Sequence, residues 1–204
     1  MIPTLTLLTC LVLPGPALEA GPLGIGVDAT PKEDAAATAP LIAGTNQFAA
    51  DLYRRLAERD GNLFLSPYSI ALCLGMAREG ARGETRAQFD EVLHLPAGDL
   101  AALQRAWRKQ LSPGRAYDWA VANRIFHQTG RKLAPDFVSI VRDGFGAPPE
   151  GVDFIEDHEG ARRRINEWVL AETRKRIIDL LAPGTVDPST RYALVNAVYL
   201  KAPW

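Results

Sequence analysis

An α+β fold is predicted, with N-terminal helices laid against the first strands of a large central sheet. Three observations carry it. Trp119 to His127 alternates, with Trp119, Val121, Asn123, Ile125 and His127 on one face and Ala120, Ala122, Arg124 and Phe126 on the other; this is the period of two that marks a strand. Tyr192 to Leu200 is apolar apart from Asn196 and the ring hydroxyls of its tyrosines, as in a strand covered on both faces. The segment after Pro67 carries Ile70, Ala71, Leu72, Cys73, Leu74, Met76 and Ala77. A helix so nearly apolar all round belongs inside a large core.

Composition agrees with a globular chain. Of 204 residues, 47% are hydrophobic and 23% charged, near the average for folded domains. A net charge of −1 gives no overall attraction to nucleic acid or to a membrane surface. Cys10 and Cys73 are the two cysteines, too few for a disulfide framework, and Cys73 reads as a small buried hydrophobe.

From the N-terminus, Leu5 to Leu13 is a short, mostly apolar run followed by Pro14, Gly15, Pro16 and the small residues Ala17 and Ala20. Residues 1–20 are therefore expected to be a signal peptide and the protein to be extracellular, although no Lys or Arg precedes Lys32 to supply the usual positive start. After leader removal no membrane span is expected, because no run of about 18 or more apolar residues occurs in the body of the chain. Residues 21–43, rich in Gly, Ala, Pro and Thr, read as a flexible linker, and residues 44–204 as the folded portion.

The folded portion begins with Phe48, Leu52, Tyr53 and Leu56 at helical spacing, closed by Asp60-Gly61. Leu63 to Leu65 reads as a very short strand. Ser66-Pro67 then has the form of a helix start, a hydroxyl cap followed by a proline whose missing N–H costs nothing there. Gly80 and Gly83 punctuate the end of that helix. Thr85 and Gln88 suit a capping box ahead of Phe89, Val92 and Leu93. Leu100 to Leu111 is a further amphipathic helix. After the alternating strand, Pro135 to Gly144 reads as helix, Val152 to Ile155 as a short strand, and Glu159 to Thr173 as a helix with Ile165, Trp168 and Val169 on one face. The chain stops at Trp204, just after the apolar strand, so that strand is expected to present an open edge of unpaired N–H and C=O groups.

In this order the motifs resemble those of the serpins, a family of serine protease inhibitors. They are Asn62-Leu-Phe-Leu-Ser66-Pro67-Tyr-Ser69-Ile70; Ala122-Asn123-Arg124-Ile125-Phe126; Val152-Asp153-Phe154; Ile165-Asn166-Glu-Trp168-Val169 with Thr173 and Arg176-Ile177; and Leu194-Val195-Asn196-Ala197-Val198-Tyr199-Leu200-Lys201, ending on Trp204. The resemblance implies the N-terminal half of a serpin. It implies structural roles for Asn62, Ser66, Ser69 and Asn196 in the shutter beneath the central sheet, and for Trp204 in the breach, where loop insertion begins. Lys201-Ala202-Pro203-Trp204 departs from the family's Lys-Gly-x-Trp; Ala202 lacks the conformational freedom of glycine and Pro203 has no N–H to donate. The activity implied for a complete form is inhibition of serine endopeptidases, with cysteine endopeptidases as a second class, by insertion of a cleaved reactive loop as a new strand. No reactive-centre bond lies in this chain. A non-inhibitory serpin-like binding protein and an inactive truncated fragment are the alternatives.

Other chemistry finds little support. No enzyme activity is expected: there is no G-x-S-x-G and no Cys-His signature. No cofactor is expected, and His94, His127 and His158 have no metal-ligand spacing. Arg105, Arg108 and Lys109 share one helical face and form a candidate contact for a sulfated polysaccharide, as in some serpins; a merely solvated face is the simpler reading. Arg162 to Arg164 are successive and fan around their helix.

Overall fold

The computed structural model describes residues 4–12, 32–58, 60–111 and 118–201. In chain order these form β1 (Thr4–Val12), α1 (Lys32–Leu56), α2 (Pro67–Gly80), α3 (Gly83–Val92), α4 (Leu100–Gln110), β2 (Asp118–Gln128), α5 (Pro135–Phe145), β3 (Pro149–Val152), α6 (His158–Glu172) and β4 (Thr190–Lys201). The strands make one sheet in the order β1-β4-β2-β3. β4 runs antiparallel to β2, while β3 is parallel to β2 and β1 parallel to β4.

The near-continuous apolar run of β4 has the cause predicted for it: Ala193 through Tyr199 are all buried. Because successive residues point to opposite faces, β4 feeds two cores. Ala193, Val195 and Ala197 join Phe126, Phe154, Ile165, Trp168, Val169 and Leu181 beneath α6. Leu194 joins Leu72, Cys73, Met76, Ile125, Val141 and Phe145 on the side of α2, α4 and α5. Helices α4 and α5 meet closely at Gly144, where a Cβ would lie 2.6 Å from that of Ala101; only glycine admits that approach. Gly44 of α1 does the same against the backbone of His94, whose carbonyl oxygen a Cβ would meet at 2.1 Å.

Several boundaries differ from expectation, each for a local reason. Helix α1 begins at Lys32, within the stretch read as linker; Thr38, buried on this helix, accepts a 2.9 Å hydrogen bond from Gln110 of α4, so tertiary contact stabilises what periodicity alone does not reveal. The strand predicted over Leu63–Leu65 does not form. Residues 62–66 lack a ladder partner among the described residues, and Leu63 and Phe64 stay exposed; an isolated strand has no hydrogen bonds to hold it. The capping box at Thr85 and Gln88 is absent, since α3 starts earlier, at Gly83, and takes Arg82 as its N-cap without a side-chain bond. The expected strand over Val152–Ile155 ends at Val152, because the Asp153 carboxylate accepts the N–H groups of Ile155 and Glu156 at 3.1 Å and turns the chain. Nor is α2 apolar to its end: its last turn buries Arg78 and Glu79, which pair with each other at 2.8 Å, and Arg78 also bonds Asp90 of α3 at 2.7 Å. The outer edge of β4, expected open, is paired with β1, Thr9 standing opposite Asn196. The apolar residues read as a leader thus form a strand in this structure.

Candidate functional site at the centre of the sheet

Asn196 is the one strongly polar residue between Tyr192 and Leu200 of β4 and is fully buried. The antiparallel register sets it opposite Asn123 of β2, and on one sheet face such opposed residues lie within contact reach. The Asn196 amide donates to Asn123 Oδ1 at 2.6 Å, and the Asn123 amide donates to the Phe145 carbonyl at 2.9 Å. This short chain ties the two central strands to the C-terminal end of α5. It leaves Asn196 Oδ1 buried with no hydrogen-bond partner among the described residues. Such an orphan acceptor costs about 1–3 kcal/mol, so the centre of the sheet holds an unmet demand for a donor.

The N-terminus of α2 lies on the same side of the sheet. Ser66 is its N-cap and accepts the Ser69 N–H at 3.3 Å, with Pro67 in the first turn, as the Ser-Pro pattern predicts. The two hydroxyls also bond each other at 3.0 Å, and Ser69 is fully buried. One turn further on, the Cys73 thiol approaches the Leu194 carbonyl of β4 at 3.9 Å, and burial pushes its pKa up to about 12, so it stays protonated. Of the four residues expected to act together, then, Ser66 and Ser69 form one pair and Asn196 another with Asn123, while Asn62 is exposed in the segment before α2. Trp204 lies outside the described residues. Asn123 is the partner of Asn196 that the motifs alone do not reveal. Its signal was available, as an asparagine on the same strand face as Val121 and Ile125, but only the register pairs it with Asn196.

On the opposite sheet face the polar side chains serve as backbone substitutes. Asn166 of α6 accepts the Leu181 N–H at 2.8 Å and donates to the Leu181 carbonyl at 3.0 Å, which straps the loop after α6 onto the helix. Gln128 accepts from the N–H groups of Phe154 and Ile155 at 2.7 and 3.2 Å and donates to Asp153 at 3.0 Å; this last bond, first among the causes, holds the Asp153 carboxyl below its ordinary pKa. Glu150 of β3 pairs with Arg124 of β2 and with Arg164 of α6, and the Arg124 guanidinium stacks 5.0 Å from the Trp168 ring centre.

On α4, Arg105, Arg108 and Lys109 are all exposed, and Arg108 also donates to the Gly144 carbonyl of α5 at 3.3 Å.

Residues 43–204 match the family model described as Serpin (serine protease inhibitor), and the chain belongs to this family. A leukocyte elastase inhibitor from Sus scrofa is 38% identical over 168 residues, 80% of this chain and 44% of that protein. A serpin-like protein of Thermococcus kodakarensis is 38% identical over 169 residues, 81% of this chain and 39% of that protein. Among solved structures, emu (Dromaius novaehollandiae) ovalbumin superposes with a TM-score of 0.74 at 27% identity, covering 80% of this chain and 47% of that one. Lamprey angiotensinogen cleaved in its reaction loop gives 0.71 at 28%, covering 81% and 49%. The chain therefore spans less than half the length of the curated relatives it matches.

Proposed function

We propose that this chain is the sheet-bearing N-terminal part of a serpin-type inhibitor of serine endopeptidases, whose complete form takes up a cleaved reactive loop as an added strand along the edge of β4 that β1 covers in this structure. The observation that carries this reading is Asn196, whose buried Oδ1 has no donor among the described residues. A polar group held unpaired at a sheet centre persists when a further element supplies its partner. The energetics suit a trap: burial and strand pairing released on insertion drive a large rearrangement out of a state held by a kinetic barrier. Secretion through a leader in residues 1–20 belongs to the same reading, as does contact of a sulfated polysaccharide with Arg105, Arg108 and Lys109.

The test is a comparison of lengths. A chain continued beyond Trp204 through a complete serpin domain is expected to form an SDS-stable adduct with a serine endopeptidase such as an elastase, while the 204-residue chain forms none. Cleavage of the long form without an adduct would move the assignment to a non-inhibitory binding protein. An adduct with the short form would sink the requirement for a loop.

A further inference from the structure

The edge of β4 that a further strand would need is already taken, and by a segment of the same chain. β1 runs along β4 from Thr4 opposite Thr190 to Val12 opposite Tyr199, so that of β4 only Leu200 and Lys201 extend past it. Thr9 stands opposite Asn196, which puts the strand across the centre of the sheet. The N–H and C=O groups of one edge serve one ladder at a time, so β1 and an incoming strand exclude each other.

β1 is also the strand best placed to leave. It is outermost in the order β1-β4-β2-β3, so its departure breaks one ladder and keeps the other strands paired. It is parallel to β4, with a register shift between Thr4 and Leu5, whereas β2 holds β4 antiparallel from Asp118 to His127; parallel pairing is slightly weaker per residue. Besides β4 it lies against α2, and residues 13–31 join it to α1.

We propose that residues 4–12 are an autoinhibitory strand: they hold the edge of β4 closed, and the sheet accepts another strand only once they are displaced or cut away. This regulation presupposes the uptake of a strand beside β4 proposed above. Its basis is effective concentration, since a tethered strand meets its own edge at about millimolar concentration, which a free peptide must exceed. Hydrolysis by water of one peptide bond between β1 and α1 ends that advantage. A leader of residues 1–20 contains the whole of β1, so its removal would open the edge in the same step.

The test keeps the full chain and inserts a site-specific protease sequence between Gly21 and Pro22. The probe is a fluorescent peptide of residues 4–12 with lysines at both ends for solubility. The folded chain cut at the insertion is expected to take up the peptide about a hundredfold more readily than the uncut chain, read by anisotropy and size-exclusion chromatography. Cys10 stands opposite Ala197, and neighbouring strands lie about 4.8 Å apart, within reach of a disulfide. Ala197→Cys is therefore expected to give an oxidised bond to Cys10, identified by peptide mapping, that blocks uptake by the cut chain until it is reduced. If cut and uncut chains take the peptide alike, β1 is no block and the proposal fails, while strand uptake beside β4 stands. If β1 stays bound after the cut and no peptide enters, it is a fixed strand and the proposal fails. If β1 leaves and no peptide enters, the edge accepts no strand and the loop-uptake reading falls with it. A folded Ala197→Cys chain that forms no bond to Cys10 overturns the placement of β1. Should that variant not fold, the cut and uncut chains still decide.

Discussion

The two faces of the sheet are built differently. The face beneath α6 is assembled from residues that follow one another in the chain, from β2 through β4, and its buried amides have both ends engaged: Asn166 grips both backbone groups of Leu181, and Gln128 caps the turn at Phe154. The face beneath α2 draws on segments as distant as Leu41 and Leu194, and on it Asn196 and Gln104 each leave a buried amide oxygen unpaired. The α6 face has unpaired groups too, Trp168 Nε1 and Arg124 Nε, but these belong to the stacked Arg124–Trp168 pair. Local closure satisfies polar groups cheaply because little chain entropy is lost in bringing them together. A face gathered from remote segments keeps buried acceptors unpaired among the described residues.

The comparison can be broken in graded steps. Removing residues 1–20 takes away β1 and should have the largest effect, leaving β4 with a free edge that pairs with other copies; size-exclusion chromatography with light scattering should show a shift from monomer to higher assemblies. A monomeric product would show that β1 does not seal the edge. Next, Asn166→Ala should cost about 2 kcal/mol in chemical denaturation, since it strands the buried Leu181 N–H, while the Leu181 carbonyl keeps its bond from Arg162 at 2.9 Å. Asn196→Ala should cost only about 1 kcal/mol, because it also removes an acceptor that was already unpaired. Equal costs would erase the distinction between the faces.

A smaller effect of opposite sign is expected where α6 ends. Arg174 and Lys175 both take left-handed backbone angles, with φ of 51° and 61°, and the Lys175 N–H returns to the Leu170 carbonyl at 2.8 Å, closing the helix in a form that favours glycine. Lys175→Gly should stabilise the chain by about 0.5–1 kcal/mol, read as a rise in the denaturation midpoint. No change would mean the turn is unstrained. The smallest effect concerns pH. Asp51 of α1 bonds His94 at 2.7 Å and pairs with Arg54; the His94 bond first and Arg54 second hold its carboxyl below the ordinary 3.8. A depressed folded-state pKa contributes stability above the unfolded value and loses it as pH falls through the folded one. Asp51→Asn should therefore lose its small deficit relative to the unmodified chain as the pH drops below about 3.8, in midpoints measured across that range. A deficit unchanged at low pH would show that charge is not the link.

Much of the architecture was legible in residues that act through their neighbours in sequence. The Ser66-Pro67 start of α2, the alternation in β2, the apolar stripe of α6 and the two-faced burial of β4 each follow from spacing alone, because capping and amphipathic period are local physics. The strand expected at Leu63–Leu65 was not recoverable in the same way, since a strand exists only by its partner. The helical stretch from Lys32 escaped because its composition favours a linker and its support comes from α4.

What the sequence determined by itself, then, is the family, through motifs of cap, helix and strand in their proper order, and the presence of one polar residue, Asn196, within an apolar strand. Only the tertiary structure decided what that residue does. Register set it opposite Asn123, the end of α5 took up the second amide, and the bond between Ser66 and Ser69 kept those hydroxyls to each other. The physical reason is range. Propensity and patterning are written over a few adjacent residues, whereas a hydrogen bond across a sheet depends on which strands meet and on how far one has slid along the other.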